Sequence, residues 1–152
     1  MFNVVLVEPQ IPQNTGNIAR LCAATGMQLL IVGRPGFMLS DRYLQRAGLD
    51  YWEFVRIKRE PDVEAYLAQL DMNQTYLLTT KAKRPYTCIR PQPGDNFLFG
   101  KEDGGLPERL LQAHPEACFT IPMKNPKVRS LNLATSVGIV MYHALSLYNF
   151  GL

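Results

Sequence analysis

Short apolar runs alternate with helical spacings along this chain. Phe2 to Val7 (FNVVLV) is apolar and β-branched, ends before Pro9 and Pro12, and predicts a buried strand. Ile18, Leu21, Cys22 and Thr25 recur at helical spacing and predict a helix from about Asn17 to Thr25, with Gly26 as its C-terminal cap. Gln28 to Gly33 (QLLIVG) reads as the next strand, and Ser40 to Gly48 as a short helix capped by Ser40 and ended by Gly48. Phe54 to Ile57 (FVRI) is a weaker strand, and Val63, Tyr66, Leu67 and Leu70 share one face of an amphipathic helix. TYLLTT (75–80), NFLFG (96–100) and CFTI (118–121) are strand-like, PERLLQA (107–113) is helical, and a long helix from about Leu131 to Tyr148 closes the chain. Six short apolar strands interleaved with helices predict an α/β fold: a mostly parallel six-stranded sheet with helices on both faces. No repeat, low-complexity tract or linker interrupts it, so residues 1–152 are expected to form a single domain.

Composition narrows the setting more than the chemistry. A chain of 152 residues can bury roughly 70% of its unfolded surface and needs no disulfide or metal to hold it. With 47% hydrophobic and 19% charged residues it is an ordinary globular mixture, and its net charge of +3 permits a polyanionic partner without requiring one. The three cysteines, Cys22, Cys88 and Cys118, are scattered with no CxxC pair, which fits a reducing, cytoplasmic compartment. The opening segment has no basic region and too short an apolar run for export or for spanning a membrane, so no membrane association is expected. In the closing helix Val137, Ile139, Val140, Met141, Tyr142, Ala144, Leu145, Leu147 and Tyr148 are apolar or aromatic almost all the way round. Such a helix touches its own core and a second surface, which points to a homodimer; a helix buried on all sides within one chain is the alternative.

Familiar nucleotide and metal signatures are missing. No GxGxxG follows a strand, and GDNFLFGK fails as a phosphate-binding loop in its glycine spacing and in having Glu102 where a magnesium-binding hydroxyl belongs. His114 and His143 stand apart and lack partners at ligand spacing, which disfavours a metal site or a Ser-His-Asp triad. Three polar clusters remain, each following a predicted strand: Asn14 to Arg20 (NTGNIAR), Phe99 to Pro107 (FGKEDGGLP) and Ile121 to Ser136 (IPMKNPKVRSLNLATS). Any one alone is explained as a turn. Together they lie where open α/β sheets bind ligands, beyond the carboxyl ends of strands.

These clusters resemble the three signature motifs of the SPOUT superfamily of trefoil-knotted, S-adenosylmethionine-dependent RNA methyltransferases, of the SpoU type. The likeness is carried by VVLVEPQIPQNTGNIARLCAATG, QRAGLDYWEF, FGKEDGGLP and RSLNLATSVGIVMYHAL, and so extends over almost the whole chain. It points to the minimal subgroup that methylates the ribose 2′-hydroxyl of the wobble nucleotide in tRNA, a cytidine or a carboxymethylaminomethyl-type uridine. The resemblance implies a C-terminal knot, which patterning rules would not suggest. It implies a homodimer, a tRNA partner, S-adenosyl-L-methionine as methyl donor, and no metal. Cofactor contacts map by resemblance to Leu78, Gly100, Ile121, Met123, Ser130 and Leu131. Their chemistry agrees: Gly100 would let a ligand approach the backbone, and the apolar side chains could wall an adenine.

The resemblance places Arg20, Asn14, Glu102 and Asn132 at the catalytic centre. A guanidinium essentially never deprotonates, so Arg20 is a poor general base. Helical side chains lean toward the N-terminus, which would bring Arg20 to a helix mouth shared with Asn14, where an anion is favoured. There it would grip the phosphate beside the target ribose and polarise the hydroxyl. Glu102 could hold Arg20 or a backbone amide, and Ser130 and Asn132 could cap the closing helix. Gly104 departs from relatives that carry a larger polar residue before GLP, removing any contact from that side chain. Without a basic tail at Leu152, RNA contacts are expected from Arg42 and Arg46, from Lys81, Lys83 and Arg84, and from Lys124, Lys127 and Arg129. The rival readings are an rRNA 2′-O-ribose methyltransferase, a knotted RNA-binding protein without catalysis, and, weakest, a generic nucleotide-binding domain.

Overall fold

In the computed structural model, which describes residues 1–152 (for 48–50 the backbone alone), all strand pairs are parallel. The strands are β1 (Asn3–Val7), β2 (Gln28–Val32), β3 (Arg56–Glu60), β4 (Thr75–Leu78), β5 (Asn96–Phe99) and β6 (Cys118–Phe119). The helices are α1 (Pro12–Thr25), α2 (Arg42–Gly48), α3 (Val63–Gln69), α4 (Glu108–Ala113) and α5 (Leu133–Ser146). Side chains alternate across the sheet, so neighbours in sequence enter different cores. Val4 and Leu6 of β1 join Ile18, Ala19 and Cys22 of α1 and Val137, Val140 and Met141 of α5 on one face. Val5 and Val7 join Leu30, Val32, Leu77 and Leu98, covered by Tyr66 of α3 and Leu110 and Leu111 of α4, on the other. Both faces are therefore buried, as a parallel sheet requires.

The six-stranded sheet runs β3-β2-β1-β5-β4-β6. The chain moves outward from β1 to β3, then returns to the far side of β1. The order thus reverses between β1 and β5, whose registers pair Leu6 with Phe99 at the carboxyl end. Loops leaving these two strands diverge and leave a crevice, the usual ligand position in open α/β sheets.

Several boundaries differ from the sequence expectations, each for a local reason. α1 begins at Pro12, not near Asn17, because proline at the first helical position has a preset φ and no N–H to strand. Gly26 does cap α1, at φ 75° with its N–H on the Cys22 carbonyl at 2.9 Å. Asp41, not Ser40, caps α2: its Oδ1 accepts from Tyr43 N at 2.8 Å and Leu44 N at 3.3 Å. β3 lies at Arg56–Glu60, later than FVRI, and β6 is reduced to Cys118–Phe119. Beyond β4 and β6 the chain stays in contact through loops: Thr79 N donates to the Phe119 carbonyl at 2.9 Å, and Tyr86 N to the Thr120 carbonyl at 2.8 Å.

Candidate active site

A cavity of about 530 Å³ opens beyond the carboxyl ends of β4, β5 and β6. Leu78, Gly100, Ile121, Met123, Ser130 and Leu131 all line it, as do Asn14, Glu102 and Asn132. Residues separated by more than a hundred positions in the chain thus converge on one space. Its volume lies within the 300–1,000 Å³ typical of small-molecule sites.

Hydrogen bonds order the rim, and donor–acceptor logic allows only one arrangement. The side-chain oxygen of Asn132 accepts from Thr135 N at 3.1 Å, capping α5. Its amide nitrogen is then left to donate to Asn14 Oδ1, at 3.0 Å. Asn14 Nδ2 in turn donates to Glu102 Oε2 at 3.1 Å. The Glu102 carboxylate also accepts from Gln10 N at 2.8 Å and Ile11 N at 2.9 Å. One carboxylate after β5 therefore ties down the loop after β1, across the point where strand order reverses.

That arrangement corrects the expectation of an open helix mouth. The anion in front of α1 is Glu102 itself, bound to the amides of Ile11, the N-cap residue, and Gln10 before it, a placement the helix dipole favours. Arg20 is elsewhere. It follows Asn14 by six residues, roughly 9 Å along the axis and about 120° round the helix. It is exposed, absent from the cavity wall, and its guanidinium lies 5.2 Å from the centre of the Tyr51 ring.

The glycines of the second cluster serve the backbone. A Cβ on Gly100 would collide with the main chain of Gly105 and Leu106, so the glycine admits a crossing segment of its own chain. Gly100 also lines the cavity. Gly104 and Gly105 have φ of 122° and 71° and close the turn in which Gly105 N donates to the Lys101 carbonyl at 3.0 Å. A larger residue at 104 would be strained, which accounts physically for the glycine there. Ser130 is exposed and makes no cap; Asn132 caps α5 by itself.

The basic residues divide by what they touch. Lys81 and Arg129 reach the cavity wall, while Lys83, Lys124 and Lys127 are exposed and lie outside its lining. Lys81 pairs with Glu108, whose carboxyl is held below its usual range by that bond. Arg84 donates to the Glu116 carbonyl and lies 4.4 Å from the centre of the Phe119 ring, so part of its function is structural. Arg42 and Arg46 stand on α2, Arg42 donating to the Tyr43 hydroxyl at 3.1 Å. The sequence expectations did not include the Gln10 and Ile11 amides or the Thr79, Thr80 and Thr120 lining. The only signal was Pro9 and Pro12 bracketing two residues whose N–H groups no helix could use.

The family model for the SpoU rRNA Methylase family matches residues 1–142. The chain belongs to this family. It is 46% identical over 145 residues to the tRNA (cytidine(34)-2'-O)-methyltransferase of Escherichia coli (strain K12), covering 95% of this chain and 92% of that protein. A solved structure described as giving structural insights into the 2-OH methylation of C/U34 on tRNA superimposes at a TM-score of 0.90. That match has 40% identity and covers 98% of this chain and 97% of the other. A third, the AdoMet-bound rRNA methyltransferase from Sinorhizobium meliloti, shares the fold at a TM-score of 0.83 and 24% identity, covering 96% of this chain but 56% of its own. SpoU-family membership extends over both the sheet and the cavity.

The cavity fits the methyl donor that the resemblance implies. Leu78, Ile121, Met123 and Leu131 supply apolar walls, and among the described residues the backbone N–H and C=O groups of Ile121, Met123, Ser130 and Leu131 have no backbone partner. Groups left free along a cavity wall can bond to a ligand, and the edge of a purine with its ribose offers matching donors and acceptors. No described helix is long and apolar enough to cross a membrane.

Proposed function

We propose that the protein is an S-adenosyl-L-methionine-dependent methyltransferase acting on the 2′-hydroxyl of the wobble nucleotide, cytidine or modified uridine, in tRNA anticodon loops. The observation that carries this reading is the Asn132–Asn14–Glu102 chain at the rim of a nucleoside-sized cavity. The 46% identity to a tRNA (cytidine(34)-2'-O)-methyltransferase supports the choice of RNA. In this reading residues 1–152 form one cytoplasmic unit, knotted at its C-terminal end and working as a homodimer.

When bound, S-adenosyl-L-methionine supplies a methyl group already activated on a sulfonium, so the protein's work is alignment and charge management. Leu78, Ile121, Met123 and Leu131 hold the nucleoside, with Gly100 and Ser130 at its margins. Glu102 fixes the loop carrying Asn14, and Asn14 orients the acceptor ribose. Arg20, on the solvent side of α1, grips the RNA backbone phosphate beside that ribose, with the phosphate as acceptor of the hydroxyl proton. Lys81 and Arg129, at the cavity wall, and the exposed Lys83, Arg84 and Lys127 contact the RNA backbone, and Arg42 and Arg46 extend the basic surface along α2.

The test is to incubate the protein with labelled S-adenosylmethionine and either total tRNA or ribosomal RNA, then map the modified nucleotide. Label at the ribose of tRNA position 34 is the expected result. Label confined to rRNA would support the reading suggested by the family's rRNA members, and cofactor binding without transfer would favour a non-catalytic RNA-binding protein.

A further inference from the structure

A second groove, outside the cavity described above, lies beyond the carboxyl end of β2. It has a volume of about 570 Å³ and is walled by Arg34, Pro35, Phe37, Met38 and Arg59. Neither arginine forms an ion pair or side-chain hydrogen bond among the described residues. Arg59 shares its face of β3 with Ile57, which packs on the α1 side of the sheet, whereas Arg56, Lys58 and Glu60 alternate to the other side. The nearest acid in sequence therefore points away from the groove. Met38, at 75% exposure, and half-buried Phe37 form an apolar surface beside these charges.

The groove is built into the same framework as the cavity rim. Gly36 N donates to the Pro9 carbonyl at 2.9 Å, and a Cβ at Gly36 would meet the Gln10 side chain and come within 3.1 Å of its Cα. Gln10 N is itself held by Glu102 at 2.8 Å. Thus the loop after β2 rests on the loop after β1, which rests on the carboxylate at the rim. Gln10 lies between the cavity rim and the loop whose Gly36 helps line the groove.

We infer that this groove is a subsite for single-stranded RNA flanking the methylated nucleotide, Arg34 and Arg59 taking a backbone phosphate each and Phe37 and Met38 supporting an unstacked base. The inference rests on the RNA-methyltransferase reading and assigns part of its substrate recognition. Unpaired cations next to a half-buried aromatic ring and an exposed thioether match what single-stranded nucleic acid presents: regular phosphates and bare base faces.

The test compares the Arg34→Ala/Arg59→Ala double variant with Arg56→Ala/Lys58→Ala, which removes equal charge from the opposite face of β3. Affinity for an anticodon stem-loop RNA is measured across a salt series, alongside S-adenosylmethionine binding and thermal melting as controls for the cavity and the fold. For the groove variant the plot of log affinity against log salt becomes shallower by roughly 1.4, two contacts at about 0.7 each. Cofactor binding stays at the wild-type value, and KM for RNA rises. Phe37→Ala weakens binding about fivefold or more at every salt concentration without changing the slope. An unchanged slope and affinity in the groove variant, or an equal loss in the opposite-face variant, would overturn the inference. If wild-type protein binds the RNA but transfers no methyl group, the catalytic reading fails while the subsite is still decided by the slopes.

Discussion

At the scale of single residues, Asn132 separates stability from chemistry. It caps α5 with one atom and positions Asn14 with another. Asn132→Ala loses both and should cost about 1 kcal/mol in urea unfolding, the usual price of a cap. Asn132→Asp keeps an acceptor for Thr135 N but turns a second oxygen toward Asn14 Oδ1. Its stability should stay within about 0.5 kcal/mol of wild type while methyl transfer, assayed with tRNA, falls on the order of 10²-fold through misplacement of Asn14. Arg20→Ala should lower the same activity by at least about 10²-fold with S-adenosylmethionine affinity unchanged, because its guanidinium is outside the cavity. Wild-type transfer in that variant would remove Arg20 from the mechanism. The residue types of this site were visible in the sequence, which left Arg20 or a backbone amide open as the partner of Glu102. The structure gives it backbone amides, and the sequence did not show which ones bind Glu102. Its two backbone donors, 92 and 91 positions away, carry no side-chain signature.

Secondary-structure elements were legible wherever burial and local chemistry agreed. Both faces of the parallel sheet are covered, so β1, β2, β4 and β5 read as continuous apolar runs. β3 was displaced because it is an edge strand with a polar sequence, Arg56–Glu60, and pairing with β2 rather than hydrophobicity sets its register. The turn after β5 illustrates a constraint imposed by a neighbouring segment. Gly100→Ala should destabilise by about 3 kcal/mol, since the clash is with main chain that no rotamer change relieves. In a domain of this size that lowers the melting temperature by roughly 10 °C, measurable by calorimetry. Cofactor affinity should fall with it, because Gly105 and Leu106 also line the cavity.

For the whole molecule, α5 turns one side to the core and leaves the other unfinished. Val137, Val140, Met141 and Ala144 are buried, whereas Tyr142 and Leu147 are 45% and 47% exposed, with Tyr148 and Phe150 exposed nearby. In the proposed homodimer this apolar surface meets its copy, so sedimentation should give a dimer and Leu147→Glu should yield monomers at the same concentration. A wild-type monomer would refute the assembly. Cysteine reactivity reports the fold independently. Burial pushes the Cys22 thiol up to about 12 and raises that of Cys118, while Cys88 is exposed. A thiol reagent at neutral pH should modify Cys88 alone in native protein and all three cysteines after unfolding.

The sequence by itself determined the α/β class, the parallel strands and the three clusters that close the cavity, because apolar runs, caps and turn residues are local signals. Tertiary structure decided which of those groups meet. It set Glu102, rather than a ligand, before α1; it put Arg20 outside the cavity; and it gave Gly100 a neighbouring backbone to accommodate. The physical reason is one of range. Periodicity and capping act over a turn or two of chain, whereas these contacts arise where strand order reverses, and a hydrogen bond across that crevice leaves no periodic trace in the residues that make it.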